Sequence, residues 1–218
     1  SCLSYPAWGP VAADLAGSVS ASDPLVNSPA SMSHERMDSG TRARRRAVAI
    51  CGTGSPGPEV VPLAEELGRI VVAAGFNLVC GGMGGVMEAA ARGGWRARAL
   101  GAAGSVIGIL PTERLDSGNP YCDVVIPTGM GIARNALVVR AADVVVLVGG
   151  GAGTLSEAAY AWQLDKPLIA LESSGGWAAR LADQVVDDRR DDRIHRAASP
   201  ADVLVLALEA VDGDGGCV

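Results

Sequence analysis

The chain has 218 residues, a formal net charge of −6, 49% apolar residues and only 4% aromatic ones. That length fits one α/β domain with room for tails, and so few aromatics leave Ala, Val, Leu and Ile to fill the core. The acidic balance excludes a broad electrostatic surface for nucleic acid, and the absence of an apolar run of about 18 residues or of a signal-peptide pattern speaks against a membrane partner.

Five cysteines, Cys2, Cys51, Cys80, Cys122 and Cys217, form no CxxC pair. Their odd number and scatter fit the reduced thiols of a cytoplasmic protein better than a disulfide frame, and they give no metal site. Of the two histidines, His34 lies in a polar leader and His195 late in the chain, far from every glycine-rich turn, which leaves little raw material for His-based acid–base chemistry.

In chain order, residues 1–46 are rich in Ser, Pro, Asp and Ala and end in the basic run Arg42-Ala43-Arg44-Arg45-Arg46. They read as a disordered, solvated leader. From Ala47, short apolar runs alternate with Ala- and Leu-rich stretches, the sequence habit of βαβ units. Strands are expected over 47–51, 76–80, 105–110, 123–126, 144–148 and 167–171, with a weaker one over 193–197. Helices are expected over 59–74, 86–101, 132–142, 154–164, 178–187 and 201–211. The simplest assembly is a doubly wound, Rossmann-like parallel sheet of about seven strands with helices on both faces, spanning 47–211 and followed by a flexible tail over 212–218. Ligands of such a sheet belong at the C-terminal ends of its strands.

Three of those strand ends open into glycine-rich turns: Gly52-Thr53-Gly54-Ser55-Pro56-Gly57, Gly81-Gly82-Met83-Gly84-Gly85 and Gly149-Gly150-Gly151-Ala152-Gly153-Thr154. Glycine lets backbone come close to a ligand, so amides at a following helix N-terminus can surround a phosphate. Gly52, Thr53, Gly54, Ser55, Gly81, Gly82, Met83, Gly84, Gly85, Gly149, Gly150, Gly151, Gly153 and Thr154 are therefore candidate phosphate-binding residues, the alternative being plain tight turns. The first turn spells GxGxxG, yet the second strand ends Val79-Cys80-Gly81-Gly82, without the acidic residue that holds a dinucleotide ribose. Pro56 and Pro58 also make that turn an awkward opening for a helix.

Lys166 is the single lysine and precedes the sixth strand, at the sheet end away from the glycine turns. No Walker A motif is present, so P-loop hydrolysis and lysine Schiff-base chemistry both lack their essential residue. Arg134, in Gly129-Met130-Gly131-Ile132-Ala133-Arg134-Asn135, falls where a helix begins. A cation there opposes the helix dipole, which is tolerable if it holds an anion; a surface ion pair is the alternative. Glu157 fits two readings. Thr154-Leu155-Ser156-Glu157 is a capping-box pattern, but the same carboxylate stands at the mouth of the expected site.

These residues resemble the family long mislabelled as lysine decarboxylases, which contains the "lonely guy" cytokinin-activating phosphoribohydrolases and the molybdenum cofactor carrier proteins. The resemblance covers roughly residues 47–211. It is strongest in Cys80-Gly81-Gly82-Met83-Gly84-Gly85-Val86-Met87 and in Gly149-Gly150-Gly151-Ala152-Gly153-Thr154-Leu155-Ser156-Glu157, which is similar to the signature PGGxGTxxE. The resemblance implies that Arg134 and Glu157 are catalytic, in cleavage of a nucleoside 5′-monophosphate to free base and ribose 5-phosphate, with no cofactor required. The proline of the signature has no counterpart here, and Arg134 is followed by Asn135 where the hydrolases have Arg-Lys. Both features are closer to the carrier branch, where Asn135 would join the ligand site and the molybdenum cofactor, a phosphorylated pterin, would be carried unchanged. A homodimer is implied by the same resemblance.

Overall fold

The computed structural model describes residues 44–213. Seven parallel strands form one sheet in the order β4-β3-β2-β1-β5-β6-β7. The strands are β1 (Ala47–Gly52), β2 (Asn77–Cys80), β3 (Val106–Leu110), β4 (Val124–Pro127), β5 (Val144–Val148), β6 (Leu168–Leu171) and β7 (His195–Ala197). All seven lie at the expected places. Their apolar runs are continuous because β1, β2, β5 and β6 are covered on both faces, so no polar alternation is needed.

Alternate residues along each strand feed two cores. Val48, Ile50, Leu78, Val146 and Ile169 face α1 (Val60–Ala73), α2 (Val86–Ala99) and α6 (Pro200–Gly213). Ala49, Val145, Leu147, Leu168 and Ala170 face α3 (Asn135–Arg140), α4 (Ala152–Gln163) and α5 (Gly176–Leu181). Among the described residues, no helix is long and apolar enough to cross a membrane. Strand order reverses between β1 and β5, so their following turns diverge to opposite faces and leave a crevice at the C-terminal edge of the sheet.

Three expectations need correction. The helix expected over 132–142 is split into a 3-10 turn, Gly131–Arg134, and the short α3. The helix expected over 178–187 starts two residues earlier and stops at Leu181, because Ala182 turns extended (ψ 130°) and Asp183 takes a positive φ of 61°. Backbone bonds from Asp183 N to Ile194 O (3.0 Å) and from Ile194 N to Gln184 O (2.9 Å) hold that exit. The third concerns α4, which begins at Ala152 rather than Thr154. Thr154 thus sits in the first helical turn and Glu157 in the second, so the capping box read from the sequence does not form. A box does form at α6, where Ser199 Oγ accepts from Asp202 N (3.3 Å) and Asp202 Oδ2 accepts from Ser199 N (2.9 Å).

The expected leader and tail fall outside the described residues over 1–43 and 214–218. Arg44 and Arg46 are described, and both pair with Asp143, at 2.5 and 3.3 Å, next to the start of β5. Asp143 also accepts from the Ala47 amide at 2.8 Å, and these partners together hold its carboxyl below the usual range in spite of burial.

Candidate functional site

A cleft of about 440 Å³ opens in the β1/β5 crevice. Its floor is the turn after β1 (Gly52, Thr53, Gly54). One wall is the start of α4 (Gly151 to Thr154, and Glu157), and the other is Gly131, Ile132, Arg134 and Asn135, with Met87 and Pro111 closing the end. The structure therefore brings together Gly52, Thr53, Gly54, Arg134, Asn135, Gly151, Gly153, Thr154 and Glu157 from chain segments about a hundred residues apart.

Arg134 is 8% exposed although charged. Its Nη1 lies 3.5 Å from Glu157 Oε1, and its Nη2 makes a weak contact with Met87 Sδ at 3.9 Å. Glu157 is 5% exposed, on the pocket side of α4. Burial pushes its carboxyl up to about 7; the Arg134 charge and a hydrogen bond from the Cys51 thiol at the end of β1 pull the other way without overcoming it. Desolvation wins because a 3.5 Å separation is a loose ion pair rather than a hydrogen-bonded fork. Burial likewise pushes the Cys51 thiol up, and the neighbouring Glu157 charge adds to it.

Arg134 Nε, Arg134 Nη1 and Thr154 Oγ1 are the buried side-chain polar atoms without a hydrogen-bond partner among the described residues. All three belong to residues lining this cleft. Asn135 is accounted for differently: its amide donates to Ser156 Oγ (2.9 Å) and Gly153 O (3.4 Å), which pins the end of the 3-10 turn to the first turn of α4 and fixes the span between the two walls.

Ser55, Gly81, Gly82, Met83, Gly84, Gly85, Gly149 and Gly150 lie outside the lining. Several of them build it. A Cβ at Gly81 would overlap Arg134 Nη2 and approach Met87 Sδ to 2.5 Å, so the missing side chain is the seat of the guanidinium. A Cβ at Gly85, which has a φ of +69°, would come to 2.5 Å from the Gly54 and Thr53 carbonyls, and Val86 N donates to Thr53 O at 3.0 Å, which locks the second turn onto the first. Gly149 and Gly150 give their carbonyls to Ala178 N and Trp177 N, at the start of α5. Ser55 N donates to Thr53 Oγ1 at 3.2 Å, within the first turn.

Lys166 lies at the opposite sheet edge, donating to Ala142 O at 2.8 Å, and His195 is exposed on the edge strand β7. Sequence reasoning did not single out Met87, Pro111, Gly131, Ile132 or Ala152 as lining residues. Met87, Gly131 and Ile132 sit inside motifs already noted, whereas Pro111 follows a strand with no glycine signal and could be placed only by the sheet order.

The sequence profile of the SLOG cluster4 family matches residues 45–204. The solved molybdenum cofactor binding protein of the phototrophic bacterium Rippkaea orientalis is 31% identical, with a TM-score of 0.67 over 77% of this chain and 98% of that one. The Moco carrier protein of Chlamydomonas reinhardtii is 28% identical, with a TM-score of 0.66 over 78% of this chain and 99% of that one. A cytokinin riboside 5′-monophosphate phosphoribohydrolase of Mycobacterium marinum is 28% identical over 160 residues, which is 64% of this chain and 80% of the relative.

Proposed function

This chain belongs to the SLOG cluster4 family, and from that premise we propose that it binds a small phosphorylated, nucleotide-like ligand in the β1/β5 cleft, in the manner of a molybdenum cofactor carrier. The observation that carries the reading is the convergence of Arg134 Nε, Arg134 Nη1 and Thr154 Oγ1 on one cleft without a hydrogen-bond partner among the described residues, Nη1 having only the loose 3.5 Å ion pair with Glu157. Leaving such groups buried and unpaired costs roughly 1–3 kcal/mol each, more for a charged one, unless a ligand supplies acceptors. A phosphate does so. It also suits the start of α4, where Gly151, Ala152 and Gly153 line the cleft and no side chain caps the helix, so first-turn amides and the helix dipole both favour an anion.

Thr53, Gly54, Asn135 and Met87 would border the rest of the ligand. A cleft of about 440 Å³ is of the size that takes a nucleotide or a pterin. The carried molybdenum cofactor is supported by the named carriers among the similar structures, at about 30% identity and near-complete coverage of those chains.

A second reading, hydrolysis of a nucleoside 5′-monophosphate, is favoured by one observation: Glu157 titrates near 7, beside the guanidinium and facing the cleft. A carboxyl poised there can exchange a proton with an attacking water or stabilise an oxocarbenium-like centre as the N-glycosidic bond breaks. Incubation with AMP, followed by chromatography for adenine, separates the two. The carrier reading expects AMP or a phosphorylated pterin to bind and no adenine to form. Adenine release by the wild type that disappears in Glu157→Gln would replace it with the hydrolase reading.

A further inference from the structure

Cys80 ends β2 and Cys122 precedes β4, with β3 between them. Gly108 of β3 stands directly opposite Cys80 in the sheet register. Because Gly108 has no side chain, the turn Asn119-Pro120-Tyr121-Cys122 folds over β3, and the Cys122 sulfur comes to 2.8 Å from where a Gly108 Cβ would be. In-register neighbours of parallel strands project to the same face. Both thiols accordingly face the core under α1 and α2, Cys80 within it and Cys122 at its rim. Both are free thiols on the same side of the sheet, on either side of Gly108, with Cys80 Sγ directed to Met87 O at 3.8 Å and Cys122 Sγ to Asn119 Oδ1 at 3.5 Å.

From this juxtaposition we propose that Cys80 and Cys122 are an oxidation site that forms a reversible intrachain disulfide across Gly108 when the protein meets a hydroperoxide. The two sulfurs are unequal in the way such chemistry requires. Cys80 is fully buried, and burial helps push its thiol up. Cys122 is half-buried at the rim, where a peroxide can reach it, and its thiol donates to Asn119 Oδ1 at 3.5 Å. The reachable thiol attacks first and the buried neighbour resolves.

In the first step the Cys122 thiolate attacks one peroxide oxygen; the S–O bond forms, the O–O bond breaks, and the departing hydroxide takes up a proton as water. In the second, the Cys80 sulfur attacks the Cys122 sulfenic sulfur; the S–S bond forms, the S–O bond breaks, and the leaving hydroxide takes the Cys80 proton as a second water. Two thiols and one hydrogen peroxide thus give one disulfide and two waters. The product lies one residue from the Arg134 seat at Gly81, and it removes the Cys80 S–H that now donates to Met87 O at 3.8 Å.

The test is a tryptic map of the full chain after hydrogen peroxide treatment and blocking of free thiols. Residues 70–92 carry Cys80 and residues 115–134 carry Cys122, each as the one cysteine of its peptide. The expected product is the crosslink of these two peptides, with a loss of two hydrogens from the intact mass, reversed by dithiothreitol. Cys80→Ser should stop at a Cys122 sulfenic acid that dimedone traps, and Cys122→Ser should leave Cys80 unoxidised under the same treatment. Oxidation of Cys122 to sulfinic acid while Cys80 stays free in the wild type, or pairing of Cys122 with any other cysteine, would overturn the proposal.

Discussion

Glu157 is a buried carboxyl whose charge its surroundings oppose. Its carboxyl is raised from an ordinary 4.5 to about 7, chiefly by burial, so between those values the folded chain binds a proton that the unfolded chain has released. The sign follows: this group's contribution to stability is fully present below about 4.5, is lost as pH rises toward 7, and changes little above. At about 1.4 kcal/mol per pH unit the span is roughly 3 kcal/mol. Gln keeps the shape and cannot ionise. Glu157→Gln should therefore be more stable than the wild type at pH 8 by up to that amount and nearly equal to it at pH 4.5, as read from urea midpoints across the range. Parallel pH profiles for the two proteins would show that Glu157 is not held protonated by its surroundings.

At the scale of elements, glycines of one motif do different work. Gly81→Ala places a methyl group against the Arg134 guanidinium and Met87 Sδ, both far ends of flexible side chains. Thermal midpoint should fall slightly while ligand affinity falls by roughly tenfold or more, about 1.4 kcal/mol, as the guanidinium is displaced. Gly85→Ala meets backbone instead, with the Gly54 and Thr53 carbonyls at 2.5 Å and a φ of +69° that disfavours any side chain. It should cost about 1–3 kcal/mol of stability or more. A midpoint loss for Gly81→Ala as large as that for Gly85→Ala would contradict this division. The sequence shows that the second turn is glycine-rich but not why, because close approach to a guanidinium, close approach to another turn and cradling a phosphate all select the same residue. The start of α4 is hidden in the sequence for a related reason. Gly151-Ala152-Gly153 has the composition of a turn, and its helical state is set by tertiary packing and by Asn135 reaching across to Gly153 and Ser156. The early end of α5 depends on Asp183 and Ile194 meeting across eleven residues, a contact that no local pattern announces.

For the whole molecule, the sheet was legible because buried parallel strands write themselves as unbroken Val, Ile, Leu and Ala runs, as in Val144-Val145-Val146-Leu147-Val148. Arg134 was legible as a charge at a helix start. Its partnership with Glu157 was not, since a separation of 23 residues becomes 3.5 Å only when α3 and α4, before and after β5, pack together on one face of the sheet. The strand order then explains why one edge of the sheet gathers a guanidinium, a hydroxyl and an uncapped helix around the same space. The central claim is that these groups wait for a phosphate. Native mass spectrometry tests it most directly, with wild type and Arg134→Ala each titrated with AMP and with a phosphorylated pterin. The account predicts that the wild type binds one of these ligands, and that Arg134→Ala binds it more weakly by roughly 10- to 150-fold, the equivalent of about 1.5–3 kcal/mol for a charge-assisted hydrogen bond. Failure of both ligands to bind the wild type, or undiminished binding by Arg134→Ala, would contradict it.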